Sequence, residues 1–294
     1  QPCRHTPLPL HIVSCHKQCQ RNGLSQARHS IGAATLFFGD LIASDQMSPT
    51  AIPSFSFREL KPKSLRGLAP PAVPFGVHIS NACIDNTDLE ELSQFKELTH
   101  LSLASTPVGN KGVFLLAKHA KLQSIDISST QITDYCIGSI SLLKNLHSLS
   151  VAGTKITGVG FRTLSACANL ESLDLGRTEV SDKNIADIAK LTTLRGLDLR
   201  NTKITSDGIS RLEALKELRN LRFCANKIHG NGAASLPSLN NLAYIDLTLT
   251  DFDDSDLKSL YNLENLRKLN LSYKPVSGTG FNKFQQAKNH HPLI

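Results

Sequence analysis

Leu194-Arg195-Gly196-Leu197-Asp198-Leu199-Arg200-Asn201-Thr202-Lys203-Ile204 decides the fold of this chain. Leu197 and Leu199 alternate with Gly196, Asp198 and Arg200, and alternation at a period of two makes a short strand with one dry face and one wet face. Further on, Ile209, Leu212 and Leu215 recur every three residues, which predicts a short α-helix or a 3₁₀ segment. Neither element can bury its own apolar face. The pattern L-x-x-L-x-L-x-x-T-x-I, however, restarts at Leu98, Leu122, Leu146, Leu170, Leu194, Leu218, Leu242 and Leu266, every 24 residues without insertion or deletion. One period earlier, Pro74 opens a degenerate copy with Val77, Ile79 and Ile84 at the apolar positions. Nine units therefore run over residues 74–289.

Units stacked side by side bury what one unit cannot, and stacking makes the strands parallel and in register. Nine strands about 4.8 Å apart give a sheet roughly 38 Å long at its inner rim. Helices need more room than strands, so the stack bends with the helices outside. The predicted fold is an α/β solenoid of horseshoe form, with a concave parallel β-sheet and short helices on the convex side. Acidic or Asn residues before the helices (Asp134, Asp182, Asp254, Asn110) are placed to cap their first N–H groups. Glycines in Gly158-Val159-Gly160 and Gly278-Thr279-Gly280 ease the chain reversal ahead of the helices.

These residues resemble leucine-rich repeat proteins. The resemblance covers residues 74–289, and its flavour is similar to the T-x-I-T-D-x-G-L subtype of bacterial and protozoan members, as in Thr130-Gln131-Ile132-Thr133-Asp134 and in Thr202 to Ile209. Leu164-Ser165-Ala166-Cys167-Ala168-Asn169-Leu170 echoes, once, the cysteine-containing repeats of F-box adaptors. Where the family usually places Asn, at position 9 of the repeat, this chain has Ala82, five Thr from Thr106 to Thr202, Asn226, Thr250 and Lys274. A hydroxyl there is expected to pair with the backbone of neighbouring coils. The Ala and Lys at the two ends are expected of capping units.

Composition bounds the function. The chain has 294 residues, 40% hydrophobic and 5% aromatic with no Trp, which suits thin layers and excludes wholesale disorder. No apolar run approaches the ~18 residues of a spanning helix. The net charge is +7, but residues 1–73 carry 8 basic and 3 acidic side chains, which leaves the repeats at 24 basic and 22 acidic. A nucleic-acid groove needs a one-signed stripe on the folded body, so nucleic acid is not an expected partner.

Residues 1–73 hold eight of the 13 prolines, which argues against long helices and central strands. They read as a basic, Pro-rich, largely irregular segment that caps the first repeat. Within it the apolar run from Ile31 to Ala43 has a faint likeness to a secretory core but is expected to pack as a short helix over the sheet's N-terminal edge. Gln1 in place of Met points to a processed or incomplete chain, or a mistaken start, and residues 290–294 read as a tail or the start of a truncated repeat.

Cys83, Cys136, Cys167 and Cys224 fall in different repeat positions and layers, beyond disulfide reach of one another. They read as free thiols and lean toward a reducing compartment. Cys3, His5, His11, Cys15, His16 and Cys19 cluster at the start without finger-like spacing, so no metal is expected. No phosphate loop, G-x-S-x-G elbow or H-E-x-x-H helix appears. A continuous solenoid core leaves no apolar pocket, so no catalytic residue and no cofactor are expected. The expected function is a non-catalytic protein-binding scaffold. A regulatory or ligand-sensing arm of a larger assembly, or a ubiquitin-ligase adaptor, is the alternative.

The wet face is where a partner would dock. Its early units are bland (His100, Ser124, Ser148, Ser150), and its later ones carry Asp174, Arg177, Asp198, Arg200, Arg222, Tyr244, Asp246, Lys268 and Tyr273. Tyr and Arg are frequent interface anchors, so these nine residues are the candidate partner-binding set. Arg222, between Asp198 and Asp246, is placed to bridge both across strands about 5 Å apart.

Overall fold

A computed structural model describes residues 34–38, 52–57, 65, 70–80, 82–229, 234–271 and 276–287. One sheet of eleven strands follows chain order: β1 (Ala34–Phe38), β2 (Pro53–Phe57), β3 (Phe75–Ile79), β4 (Leu98–Ser102), β5 (Ser124–Asp126), β6 (Ser148–Ser150), β7 (Ser172–Asp174), β8 (Gly196–Asp198), β9 (Asn220–Arg222), β10 (Tyr244–Leu247) and β11 (Lys268–Leu271). From β2 to β11 every pair is parallel. From β4 onward each residue faces the one 24 positions later, as in Ser148↔Ser172 and Leu197↔Leu221. The repeats thus form the leucine-rich repeat solenoid their pattern predicts.

The N-terminal segment departs from expectation. Ala34–Phe38 is a strand, antiparallel to β2, and not the helix expected over Ile31 to Ala43. A short apolar run has no period that separates helix from strand, and a sheet edge offers ladder partners to an extended chain. Strand β2 is an interior strand despite its proline, because Pro53 is its first residue, where the missing N–H is tolerated. Phe55 and Phe57 sit opposite Val77 and Ile79 and extend the two buried columns of the sheet by one layer. Phe55, Phe75 and Phe95 stack edge to face, with centroids 5.8 and 5.7 Å apart. The Gln94 amide donates to the Leu65 carbonyl at 2.7 Å and ties the lead-in to the first repeat.

The core is one continuous cluster of apolar side chains, mostly aliphatic, from Phe55 to Phe284. Leu149 and Leu173 in the strands, and Val151 and Leu175 just after them, fill it from the concave side. Short helices fill it from the other: α1 (Asn110–Leu116), α2 (Ile137–Ile140), α3 (Asp182–Ile188), α4 (Ser206–Ser210), α5 (Gly278–Ala287), and 3₁₀ segments such as Phe161–Ala166.

Two side-chain ladders work differently from expectation. The position-9 threonines do not bond the backbone of neighbouring coils; Thr202 meets a side chain there, its hydroxyl donating to Asn226 Oδ1 at 3.2 Å. Each hydroxyl donates to the carbonyl three residues back in its own coil, at 2.6 Å for Thr106, Thr130, Thr154, Thr178 and Thr250. A Thr side chain is too short to reach the neighbouring backbone, whereas the longer Asn226 amide donates to Leu199 O of the preceding coil at 2.6 Å and to Phe223 O at 2.9 Å, and accepts from Thr202 N at 2.9 Å.

The acidic and Asn residues expected to cap helices instead stitch coil to coil. Asp134 accepts from Thr157 N and Gly158 N at 3.1 Å, Asp182 from Thr205 N at 2.9 Å, Asp254 from Ser277 N at 2.7 Å, and Asn110 from Thr133 N at 2.9 Å. These side chains meet N–H groups of the next coil in the seam between the two. The stitch explains a glycine: a Cβ at Gly208 would overlap the Asp182 carboxylate, and one at Gly280 the Asp254 carboxylate.

Cys136 and Cys167 are buried free thiols and Cys224 is a free, half-buried one. Cys83 is disulfide-bonded, contrary to the free-thiol expectation. Its partner is none of the other three described cysteines, which are free thiols. Burial pushes the Cys136 thiol up to about 12 and raises Cys167 and Cys224 as well. The Cys3 to Cys19 cluster and residues 290–294 lie outside the described residues. Among those described, no group of His, Cys, Asp and Glu has metal-binding geometry, and no helix is long and apolar enough to cross a membrane.

Candidate functional site

The concave wall is built from repeat positions 3, 5 and 7. After each strand from β4 to β10 the chain reverses through a left-handed residue at position 8: Ser105, Ser129, Gly153, Arg177, Asn201, Ala225 and Leu249 have φ between 49 and 67°. The position-5 carboxylate supports this turn by accepting the N–H two residues on, at 3.0 Å for Asp126, 2.9 Å for Asp174, 3.0 Å for Asp198 and 3.0 Å for Asp246. The acidic column therefore has a local structural task as well as a surface one. That task was legible only as Asp three residues before the left-handed turn residue.

The later coils carry a connected polar network. Arg200 Nη2 lies 3.3 Å from Asp174 Oδ2, and its Nε 3.6 Å from Asp198 Oδ2. Arg222 Nη1 lies 3.3 Å from the same Asp198 oxygen. Asp198 is the buried node, its side chain only 8% exposed, and two guanidinium groups compensate it. Arg222 does not also bridge to Asp246, as its placement suggested. Its guanidinium instead stacks over the Tyr244 ring at 5.6 Å, and Asp246 pairs with the Tyr244 hydroxyl and Thr248. Lys268 stands over the same ring at 5.5 Å, and the Asn270 amide donates to the Tyr244 hydroxyl at 2.9 Å. Arg177, held in the left-handed conformation and exposed, lines the recess shared by Asp174 and Arg200. Burial raises the Asp174 carboxyl above its ordinary value, as do nearby Asp198 and Asp126, against the Gly176 N–H and Arg200. Eight of the nine candidate residues thus share one wall, and Tyr273 lies outside the described residues.

The structure adds a feature that reading for chemistry missed. A trough of about 460 Å³ runs along the middle of the wall, floored by Ser124, Ser148, Ser150, Ser172 and Gly196, with Asp126 and Asp174 along it and Arg222 and Tyr244 closing one end. The bland early units are what make it concave. The signal available was size contrast: small residues in four successive coils followed by Asn220, Arg222 and Tyr244.

Two stretches, residues 97–117 and 190–212, match the family model described as Leucine Rich repeat. No curated protein matches the chain. Among solved structures, an internalin from Listeria monocytogenes superposes with a TM-score of 0.59 at 21% identity, over 74% of this chain and 59% of its own. The plant peptide hormone receptor RGFR1, solved in complex with RGF2, gives 0.52 at 16% identity over 79% of this chain and 36% of the receptor. A TDR receptor gives 0.52 at 18% identity over 78% and 44%. This chain thus spans less than two thirds of each of these neighbours, and at such identities the likeness is one of fold. With the unbroken 24-residue register, the parallel ladder and the matched repeats, the chain is a leucine-rich repeat protein.

Proposed function

We propose that this protein is a non-catalytic scaffold that grips a polypeptide partner on its concave wall, mainly through coils five to nine. The observation that carries the reading is the network from Asp174 to Lys268. Its Arg and Tyr side chains are held in place by one another yet remain partly exposed, so little conformational freedom is lost when a partner arrives. The reading is non-catalytic because the wall's carboxylates are already engaged by backbone N–H groups and guanidinium groups. RGFR1, which shares the fold, was solved with a bound partner, and that supports a docking role here. A scaffold of this kind also serves as the regulatory arm of a larger assembly, with the same wall as its docking surface.

The test is affinity capture with Arg222→Glu plus Tyr244→Ala, with circular dichroism to verify the fold. Captured partners should be lost. Retention of every partner by a folded double variant refutes the patch.

A further inference from the structure

Of the four position-5 carboxylates, two are met by a guanidinium of the next coil, Asp246 is met by the Tyr244 and Thr248 hydroxyls, and Asp126 stands apart. Asp174 is met by Arg200 and Asp198 by Arg222, each guanidinium reaching back one coil from position 7 or position 5. For Asp126 the corresponding residues of the next coil are Ala152 and Ser150, which are too small to reach back. Asp126 accepts from Ser128 N at 3.0 Å and from the Ser102 hydroxyl at 3.1 Å, and no cation pairs with it among the described residues. The imidazole at the head of the same column, His78, is held below its ordinary value by burial, against the pull of Asp126, and so gives little positive charge. Above Ser150 the wall is open, part of the trough of about 460 Å³. The chain thus shows this acceptor twice with a guanidinium seated, once closed by hydroxyls of its own coil at Asp246, and once, at Asp126, beside the open trough.

We propose that the vacant slot takes a basic side chain of the docked partner: an extended polypeptide segment presenting an arginine whose guanidinium enters above Ser150 and pairs with Asp126. This rests on the concave-wall reading above and names the partner's chemistry. The two seated examples are both guanidinium groups, whose planar fork of donors matches a carboxylate better than an ammonium does. The charges agree, since the carboxylates of Asp126, Asp174 and Asp198 line the trough and Arg222 is the one cation on its lining.

The test uses the ¹⁵N-labelled full chain and the peptide acetyl-Gly-Gly-Arg-Gly-Gly-amide, with the citrulline peptide as the uncharged counterpart. The arginine peptide should give saturable amide shifts at Ser128, whose N–H is bonded to Asp126, and at Ser150, while the citrulline peptide gives none. Asp126→Asn should weaken binding about tenfold, the loss expected for one charge-assisted pair. Ser150→Arg should abolish binding in a folded protein, because the chain then fills its own slot. Equal shifts on the wall from both peptides overturn the arginine anchor but leave the docking wall standing. Shifts confined to the convex helices overturn both. Absence of saturable shifts up to about 10 mM peptide, the weak end of specific binding, overturns the anchor.

Discussion

Gly208→Ala should change sign with the residue at position 182. In the native chain the Asp182 carboxylate accepts from Thr205 N at 2.9 Å and from the Thr205 hydroxyl at 2.6 Å. Gly208 lies inside α4, and a Cβ there would overlap the carboxylate and lie 3.0 Å from its Cγ. Asp182→Ala removes both bonds from a half-buried seam between coils, a loss of about 2 kcal/mol. Gly208→Ala alone displaces the carboxylate and forfeits about the same, offset by about 1 kcal/mol gained from Ala over Gly in a helix. It is therefore destabilising by about 1 kcal/mol or more. In the Asp182→Ala background the obstacle is gone, and the remaining neighbour, Ile204 Cγ2 at 3.1 Å, need give only a few tenths of an ångström. Gly208→Ala should then be neutral or stabilising, and the coupling energy about 2 kcal/mol. Urea unfolding of the four proteins, followed by far-ultraviolet circular dichroism, measures this directly, provided the m-values agree. If Gly208→Ala costs the same in both backgrounds, Asp182 is not the reason for the glycine.

Further expectations follow from the ladders and the core. Asn226→Ala should cost about 3 kcal/mol and Thr154→Ala about 1, because the amide serves three backbone groups in two coils and the hydroxyl serves one; equal costs in chemical denaturation argue against the division of labour. Leu149→Ala, in mid-solenoid with its side chain 1% exposed, should cost about 2–5 kcal/mol; a loss under about 1 kcal/mol contradicts a close-packed stack. Asp174 should titrate above an ordinary Asp carboxyl by ¹³C NMR, and Arg200→Ala should raise it further. The sign follows from proton linkage. Between the unfolded and the raised folded value the folded state holds the extra proton, so this group's stabilising contribution falls as pH rises through that window and is constant above it. Titration at or below the ordinary value removes burial as the cause.

The architecture was legible because period and register leave little freedom: Leu at position 1 and apolar residues at positions 4 and 6 every 24 residues admit one stacking. The extra layer at Phe55 and Phe57 was not, because it uses Phe for Leu and stands 22 residues before its neighbour, outside the repeat's period. Hydrogen-bond destinations were misjudged where two partners compete within one turn. Asp182 can serve its own helix or the next coil, and only the coil spacing, which no single unit encodes, decides for the latter. The candidate wall was found from charged and aromatic residues at alternating positions. The trough was not, because it is made by what Ser150, Ser172 and Gly196 lack.

The most direct test of the docking wall is a photo-crosslinking amino acid placed at Tyr244 on the concave side and, separately, at the exposed Phe114 of α1 on the helical side. The account predicts that captured partners crosslink through position 244 and not through position 114. Crosslinks through 114 with none through 244 contradict it.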